Sequence, residues 1–490
     1  MILFERARYV ALIVSITLPG ALLAAGGVDG EAVVHEAPGG MQETCVAIEP
    51  VPGGNYKNAD RAQEQALCAI DFYAGDHALC PKTFSTSPGT LIYPLAGGSY
   101  AGRAEAFEAE HCAEKRIVRS GVTGEPVSFK MTMNGPDTSA TFAPASLLYY
   151  HFARYFDTYV DVPASVWRSM DRQTHFERVV RRGVEVSSGD GSSAMNRSGW
   201  ETLARGARDP ATYRPTAELY TDGNQQIFGI LLQEEGRRYG AEINGTRRSG
   251  WGAGQNRDFQ ETAPFLALRH DGPLLEAIAK GIDKAMQDPD LRKAMGSDPT
   301  TAQMSFWMVE LTEIVLLDFI FSQQDRVGNI DYVDYWYWAQ EGVVQRRRAT
   351  GHTPPNELAG YRPEKIRRSI INDNDAGGRV PYVNYAKKTE MLNKLRHFRP
   401  ETYRRLQRMV ADFKQDGPLH KWLATSFGIS DRQVRQIVEN ATTAEQILGA
   451  ACRSGQLRFS LDPHAILLHG TAQDEDVPCS LEQTLEPASR

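Results

Sequence analysis

The run from Gln303 to Ser322 is apolar enough to demand burial, and it ends in a loop that demands the opposite. Met304, Trp307, Leu311, Ile314, Val315 and Phe319 recur at helical spacing and predict a core helix. The chain leaves that helix as Gln323-Gln324-Asp325-Arg326-Val327-Gly328-Asn329 and enters an aromatic strand around Tyr335-Trp336-Tyr337-Trp338. A polar loop hung between two buried elements belongs at the wall of a cleft. A second segment of this kind follows the short apolar pair Ile370-Ile371 and reads Asp373-Asn374-Asp375-Ala376-Gly377-Gly378. Its glycines let the backbone turn closely around a ligand.

The N-terminus bears on compartment. Arg6 and Arg8 precede an apolar stretch from Tyr9 to Leu18, Pro19-Gly20 breaks it, and small residues follow to Gly26. This is the layout of a secretory signal peptide, expected over residues 1–26. No later run is long enough to span a bilayer, so the mature chain is expected to have no membrane span. All six cysteines (Cys45, Cys68, Cys80, Cys112, Cys452 and Cys479) come after the leader. An even count in a secreted or periplasmic chain predicts disulfides. Locality suggests bridges among the first four and a Cys452–Cys479 staple. There is no CxxC, which argues against a structural zinc site. Net charge is −7 and the isoelectric point near 5.9, so no nucleic-acid partner is expected.

Patterning gives a coarse organisation. Residues 27–85 read as a Cys-containing extension with a loose beginning, 86–165 as a strand-rich lobe and 166–452 as a mostly helical lobe. Inserts are expected near 186–200, 242–262 and 345–368, and an acidic, weakly ordered tail over 453–490. Strands are predicted at Thr90–Leu95 and Gln226–Gln233, and a hairpin about the Gly121–Gly124 turn. Helices are predicted at Arg103–Glu114 and Ala145–Phe156. Strands first and helices afterwards make this an α+β, two-lobed, kinase-like fold.

The two loops suggest a chemistry. Phosphoryl transfer from a nucleotide needs one carboxylate to orient the attacking hydroxyl, and a second carboxylate with an amide to hold a divalent metal. Asp325 suits the first task; Asp373 and Asn329 suit the second, with Asp375 as a competing ligand. Asp325 paired with Arg326 in an ordinary turn is the plainer alternative. Asp373, Asp375 and Gly377 also echo a calcium loop, though Asn384 stands where its bidentate Glu belongs. Lys130 lies in an alternating strand, Val127 to Met133, upstream of both loops, where a lysine would neutralise nucleotide phosphates. Gln233, in the polar Gln233-Glu234-Glu235 run after a buried strand, is a candidate contact for the base.

In this order, Phe129-Lys130-Met131, the helix ending Tyr155-Phe156-Asp157, Leu317-Asp318-Phe319 with Asp325-Arg326, and Asp373-Asn374 with Gly377 resemble the atypical secretory-pathway kinases. That family includes the Golgi casein kinase, the xylosyl kinase and the four-jointed kinase, and the chain would be a bacterial-type exported member. The resemblance covers roughly residues 115–440. It implies ATP and Mg or Mn as cofactors, Asp325 as base, Lys130 as the phosphate-contacting lysine and Asp373 as a metal ligand. The sequence departs from the family at Ser146, where a Glu partner for the lysine is expected; Glu108 and Glu110 are substitutes. Gly97-Gly98 and Gly121–Gly124 both qualify as the phosphate-covering turn. The expected function is transfer of the terminal phosphate of ATP to an unknown hydroxyl acceptor on protein, glycan or lipid. The alternative is an inactive pseudokinase or a disulfide-stabilised exported binding protein.

Overall fold

The structure is a computed structural model that describes residues 27–189 and 191–481. The expected signal peptide, residues 1–26, and the end of the tail, 482–490, lie outside the described residues. The strands in chain order are β1 (Gly30–Glu36), β2 (Gln42–Ile48), β3 (His77–Pro81), β4 (Thr90–Pro94), β5 (Val127–Met131) and β6 (Ser165–Asp171). There follow β7 (Tyr220–Thr221), β8 (Gln226–Leu232), β9 (Arg237–Arg238), β10 (Asp331–Gln340), β11 (Val343–Arg348) and β12 (Glu364–Ile370).

The first eight form one antiparallel sheet in the order β1-β2-β6-β8-β5-β4-β3, with β7 beside β8. The Ile-Phe-Gly-Ile-Leu-Leu run of β8 is buried at every position because the strand is central and covered on both faces. Gly229 lets β5 close on it: a Cβ there would stand 2.4 Å from the Lys130 carbonyl oxygen. One face of the sheet packs on the Pro144–Phe156 helix and, through it, on the helical half. The other face carries Phe129, Met131 and Leu231 against Trp200 and Leu203 of the Ala194–Arg208 helix. The architecture is α+β, with a strand-rich N-terminal part and a mostly helical C-terminal part.

The Thr301–Ile320 helix is buried around its whole circumference, not along one face. Its three acids, Glu310, Glu313 and Asp318, are accommodated inside. Glu310 pairs with Arg368 of β12, and Glu313 accepts the Tyr159 and Val160 amides at 2.7 and 3.0 Å. Beside this helix lies the second antiparallel sheet, β11-β10-β12, with β9 paired to β10. The basic stretch 345–368 is therefore no free insert, because β11 and β12 flank the aromatic strand β10. Trp336 and Tyr337 of that strand are buried in packing.

Other differences trace to long-range pairing. Residues 30–48, expected to be loose, form the β1–β2 hairpin, held in the sheet through β2–β6 and by the Cys45–Cys68 bridge. The hairpin about Gly121–Gly124 does not form, since β5 finds partners on both sides in β4 and β8. The Ser/Gly stretch ends earlier than expected because Ser193 caps the helix that follows it, accepting the Asn196 amide at 3.0 Å. In the tail, a short helix spans Pro463–His469 and Cys479 is bridged to Cys452. Among the described residues no helix is long and apolar enough to cross a membrane.

The cysteines pair as Cys45–Cys68, Cys80–Cys112 and Cys452–Cys479, and none is free. Thiol labelling of the folded, oxidised protein should therefore find no reactive cysteine; six free thiols would refute the pairing. Replacing both Cys80 and Cys112 by Ser should lower unfolding free energy in urea by about 3 kcal/mol.

Candidate active site

Lys130 is the hub. On β5 the apolar alternates Phe129 and Met131 face the core, which leaves Lys130 on the side of the interlobe cleft. Its Nζ lies 2.7 Å from Glu234 Oε1 and 3.0 Å from Asp373 Oδ1, and donates to the Asn372 carbonyl at 3.2 Å. Lys82 Nζ reaches the other Glu234 oxygen at 3.2 Å. Burial opposes the charge on Lys130, but Glu234, Asp375 and Asp373 outweigh it and hold the ammonium well above its ordinary range. Burial likewise pushes Asp373 upward, yet Lys130, Lys82 and Arg238 keep its carboxyl far below the usual carboxylate range.

The two loops are stitched together beneath this hub. The core helix ends through Ser322, which adopts a left-handed conformation (φ 52°) and accepts Asn440 Nδ2 at 3.0 Å. Arg326 then turns back into the interior. It makes a bidentate pair with Asp318, Nε to Oδ2 at 3.0 Å and Nη2 to Oδ1 at 2.9 Å, and also donates to Asn374 Oδ1 at 2.9 Å. Tyr149 donates to the same Asp318 at 2.7 Å. Backbone bonds complete the seam: Gln324 N–H to Ala376 O at 3.1 Å and Gly378 N–H to Phe321 O at 2.5 Å. Gly378 holds φ +75° there, and a Cβ would press on Ala145. Arg326 thus belongs to Asp318, and the alternative of an Asp325–Arg326 pair is not what the chain adopts.

That seam leaves Asp325 pointing into a cavity of about 300 Å³. Lys130, Asn329, Asp373 and Asp375 line the same cavity, together with the Ser85–Gly89 turn between β3 and β4. Asp325 Oδ1 has no hydrogen-bond partner, and the nearest cation is Arg247 at 3.8 Å. Burial pushes the Asp325 carboxyl up to about 6; Arg247 opposes the rise and Asp373 adds to it. Asn329 donates to the Asp325 carbonyl at 2.6 Å, which fixes the turn. Asp375 is buried, and burial raises its carboxyl above the ordinary value despite Lys130.

Arg238 of β9 spans the mouth of the cavity. Its Nε donates to Asp331 Oδ1 at 2.6 Å and its Nη2 to Asp373 Oδ2 at 3.1 Å, while Nη1 bonds Asn329 Oδ1. Among the described residues no group of three or more His, Cys, Asp or Glu side chains is gathered in ligand geometry. The oxygens of Asp373, Asn329 and Asp375 that face the cavity are nonetheless the hard donors Mg or Mn takes, and they fit such an ion. It would take over acceptors that Arg238 now holds. Gln233 lies elsewhere: with Glu235, Tyr332 and Arg348 it lines an adjoining cavity of about 720 Å³, which shares Lys82, Arg238 and Asp373 with the first.

Several neighbours escaped sequence reasoning. The lysine's acid partner is Glu234, at the end of β8, rather than any residue of the Pro144–Phe156 helix. Glu108 is committed to Arg178 at 2.5 Å and Glu110 to Tyr100. The turn over the cavity is Ser85-Thr86-Ser87-Pro88-Gly89; Gly97-Gly98 and Gly121–Gly124 do not line it. Glu234 had a signal in its place directly after a fully buried strand. Arg238 and Arg247 had none, lying in a polar stretch without pattern.

No protein-family model matches the chain, and no curated protein sequence does. Among solved structures it is similar to the Golgi casein kinase with Mn/ADP bound, at 10% identity, covering 82% of this chain and 79% of that one, with a TM-score of 0.42. It is also similar to a second structure of the Golgi casein kinase at 11% identity, over 83% and 80% of the two chains, with a TM-score of 0.41.

Replacing Arg326 by Met would leave Asp318 buried and unpaired. Urea denaturation should then show a loss of about 3–5 kcal/mol. A loss below about 1 kcal/mol would mean the pair does not hold the seam.

Proposed function

We propose that this chain is an exported phosphotransferase that moves the terminal phosphate of ATP to a hydroxyl acceptor. The observation that carries this reading is the single cavity in which a charged Lys130, ion-paired to Asp373, faces Asp325, Asn329 and Asp375. Chemistry of this kind is almost wholly positioning and charge neutralisation, and the cavity supplies both. Lys130 meets the phosphates. Hydroxyls of Ser85, Thr86 and Ser87 cover them, and the base enters the adjoining cavity beside Gln233. Asp373 and Asn329, with Asp375, would hold Mg or Mn, which when bound offsets negative charge on the phosphates.

Asp325 acts on the acceptor. Its carboxylate accepts the acceptor's O–H and orients the oxygen towards the terminal phosphorus. The new O–P bond forms as the bond to the bridging oxygen of ADP breaks, and the proton passes to Asp325. A carboxyl raised to about 6 is ionised at neutral pH and more basic than a solvated one. A second reading, a nucleotide-binding but inactive chain, is favoured by one fact: both Asp373 oxygens are already engaged, by Lys130 and by Arg238.

Asp325→Ala should reduce transfer on the order of 10²-fold or more while leaving ATP affinity and melting temperature near wild type. Asp373→Ala should lose Mn-dependent ATP binding, read by calorimetry. Unchanged transfer in the first or unchanged binding in the second removes that residue's role, and no transfer by the wild type selects the inactive reading.

The pH profile gives an independent check. Only ionised Asp325 accepts a proton, so kcat/KM should climb as pH rises through about 6 and level off above. Arg247 lowers the Asp325 value, so Arg247→Gln should move this limb to higher pH. A limb that moves down, or stays in place, contradicts the assignment.

A further inference from the structure

A third cavity, of about 360 Å³, lies between the Asp157–Asp161 turn, the β10–β11 hairpin and the start of the Pro400–Lys414 helix. It shares no residue with the two cavities of the proposed active site. Four cations face it: Lys57, Arg346, Arg368 and Arg399. Two carboxylates, Asp157 and Asp161, face it as well.

The charges do not cancel. Arg399 is satisfied by Asp157, whose carboxylate lies 3.7 Å away and whose carbonyl it reaches at 2.6 Å. Arg368 is 2% exposed, and is fixed by Glu310 behind it, the Tyr337 hydroxyl and the Tyr159 carbonyl. Lys57 and Arg346 reach solvent although neighbouring groups crowd their charged ends, and they form no ion pair within 4 Å among the described residues. Asp161 attracts both from beyond that distance. Of the acids just outside the lining, Glu313 is pushed up to about 8 by burial and is protonated at neutral pH, while Asp60 acts on Lys57 and Asp462 on His464.

The surroundings act on these bases in both senses: burial lowers Arg346, but Asp161 and Tyr337 outweigh it and hold it above its ordinary value. Burial lowers Lys57, and the Arg346 charge lowers it further. Burial also lowers His464; Asp462 opposes this, while Arg368, Arg399 and Arg346 add to it. The ring of Tyr159 forms one wall, with Arg399 at 4.9 Å and Arg368 at 5.5 Å over its face and His464 edge-on at 5.2 Å.

We infer that this cavity is a second ligand site, separate from the proposed catalytic one, and that it takes a phosphate or sulfate ester. A tetrahedral oxyanion offers the acceptors that guanidinium groups and an ammonium group bind best. Lys57 and Arg346 are the cations not held in an ion pair, with Arg346 placed by the Tyr337 hydroxyl and the Tyr335 ring, and Arg368 is already immobilised, which limits the ordering needed on binding. The cavity is larger than one oxyanion, and the ring of Tyr159 suits the carrier of the ester. The floor is bonded to the strand that leads to Asp373: Asp161 N–H donates to Ser369 O at 2.9 Å, and Ile371 N–H to Asp161 O at 3.0 Å.

Calorimetric titration of the full exported chain with glucose 6-phosphate and with glucose 6-sulfate tests this, because the two arms distinguish the sources of the oxyanion. Binding of either ester by the wild type, weakened at least tenfold in Lys57→Met/Arg346→Met, is the expected result. Both positions are exposed, so the double variant should melt as the wild type does. Lys130→Met serves as the control: it should keep ester binding, whatever becomes of ATP binding. The inference is overturned if neither ester binds, if the double variant binds as well as wild type, or if Lys130→Met is the variant that loses the ester. None of these outcomes bears on transfer from ATP, which is read on Asp325→Ala.

Discussion

Arg326 carries a full charge into an interior that would ordinarily reject it. The cost of stripping water from a guanidinium and a carboxylate is recovered only when geometry is good and the remaining donors are met. Here Asp318 is engaged side-on, Tyr149 adds a hydroxyl donor to it, and Asn374 takes a further guanidinium N–H. The three partners come from the core helix, from the helix packed on the sheet and from the second loop. One side chain therefore sets the distance between the loop of Asp325 and the loop of Asp373. A lysine in its place would present a point charge to a site built for a planar fork.

With the loops fixed, the surroundings shift the carboxylates in opposite directions. Asp373 and Glu234 are surrounded by Lys130, Lys82 and, for Asp373, Arg238, and both are held ionised. Asp325 meets burial that Arg247, Asn329 and Arg326 only partly offset, so its carboxyl rises towards neutrality. Such a pairing, one acid depressed and one raised within a single cavity, is how proteins assign charge-holding and proton-accepting tasks to chemically identical groups. The division follows from position. Asp373 stands opposite β5 and its lysine, whereas Asp325 stands at the cavity's far wall.

What was legible in the sequence is what local pattern encodes. Asp325 and Asn329 follow a helix whose apolar spacing cannot be misread, and Asp373 and Asp375 follow a short apolar strand end. Lys130 sits at the polar phase of an alternating strand. Each of these is announced by the element that carries it, and the structure brings all five to one cavity. Arg238 and the Ser85–Gly89 turn were not legible, and Glu234 only by its place after a buried strand, because they arrive by pairing. Glu234 reaches Lys130 only since β8 lies beside β5, and the turn covers the cavity only since β4 lies on β5's other side. The Gly, Pro and Ala content of residues 27–60 hid β1 and β2, whose stability comes from β6 and a disulfide rather than from their own composition.

Arg238 shows what the cleft requires of any ligand. Asp331 and Asp373 stand close enough to be bridged by one guanidinium, and burial raises Asp331 even with that cation beside it. Without a cation between them their mutual repulsion would have to be relieved by protonation or by movement of a loop. Arg238 provides that cation from within the chain. Its strand, β9, has only two residues and pairs only at the start of β10, so the tether is short and weakly held compared with the seam around Arg326. A ligand that carries its own positive charge into the cleft therefore meets a partner that can leave without disturbing the core. A ligand that brings only negative charge finds Arg238, Lys82 and Lys130 already in place. The pair of Arg326 with Asp318 below it keeps the loops of Asp325 and Asp373 in register independently of Arg238.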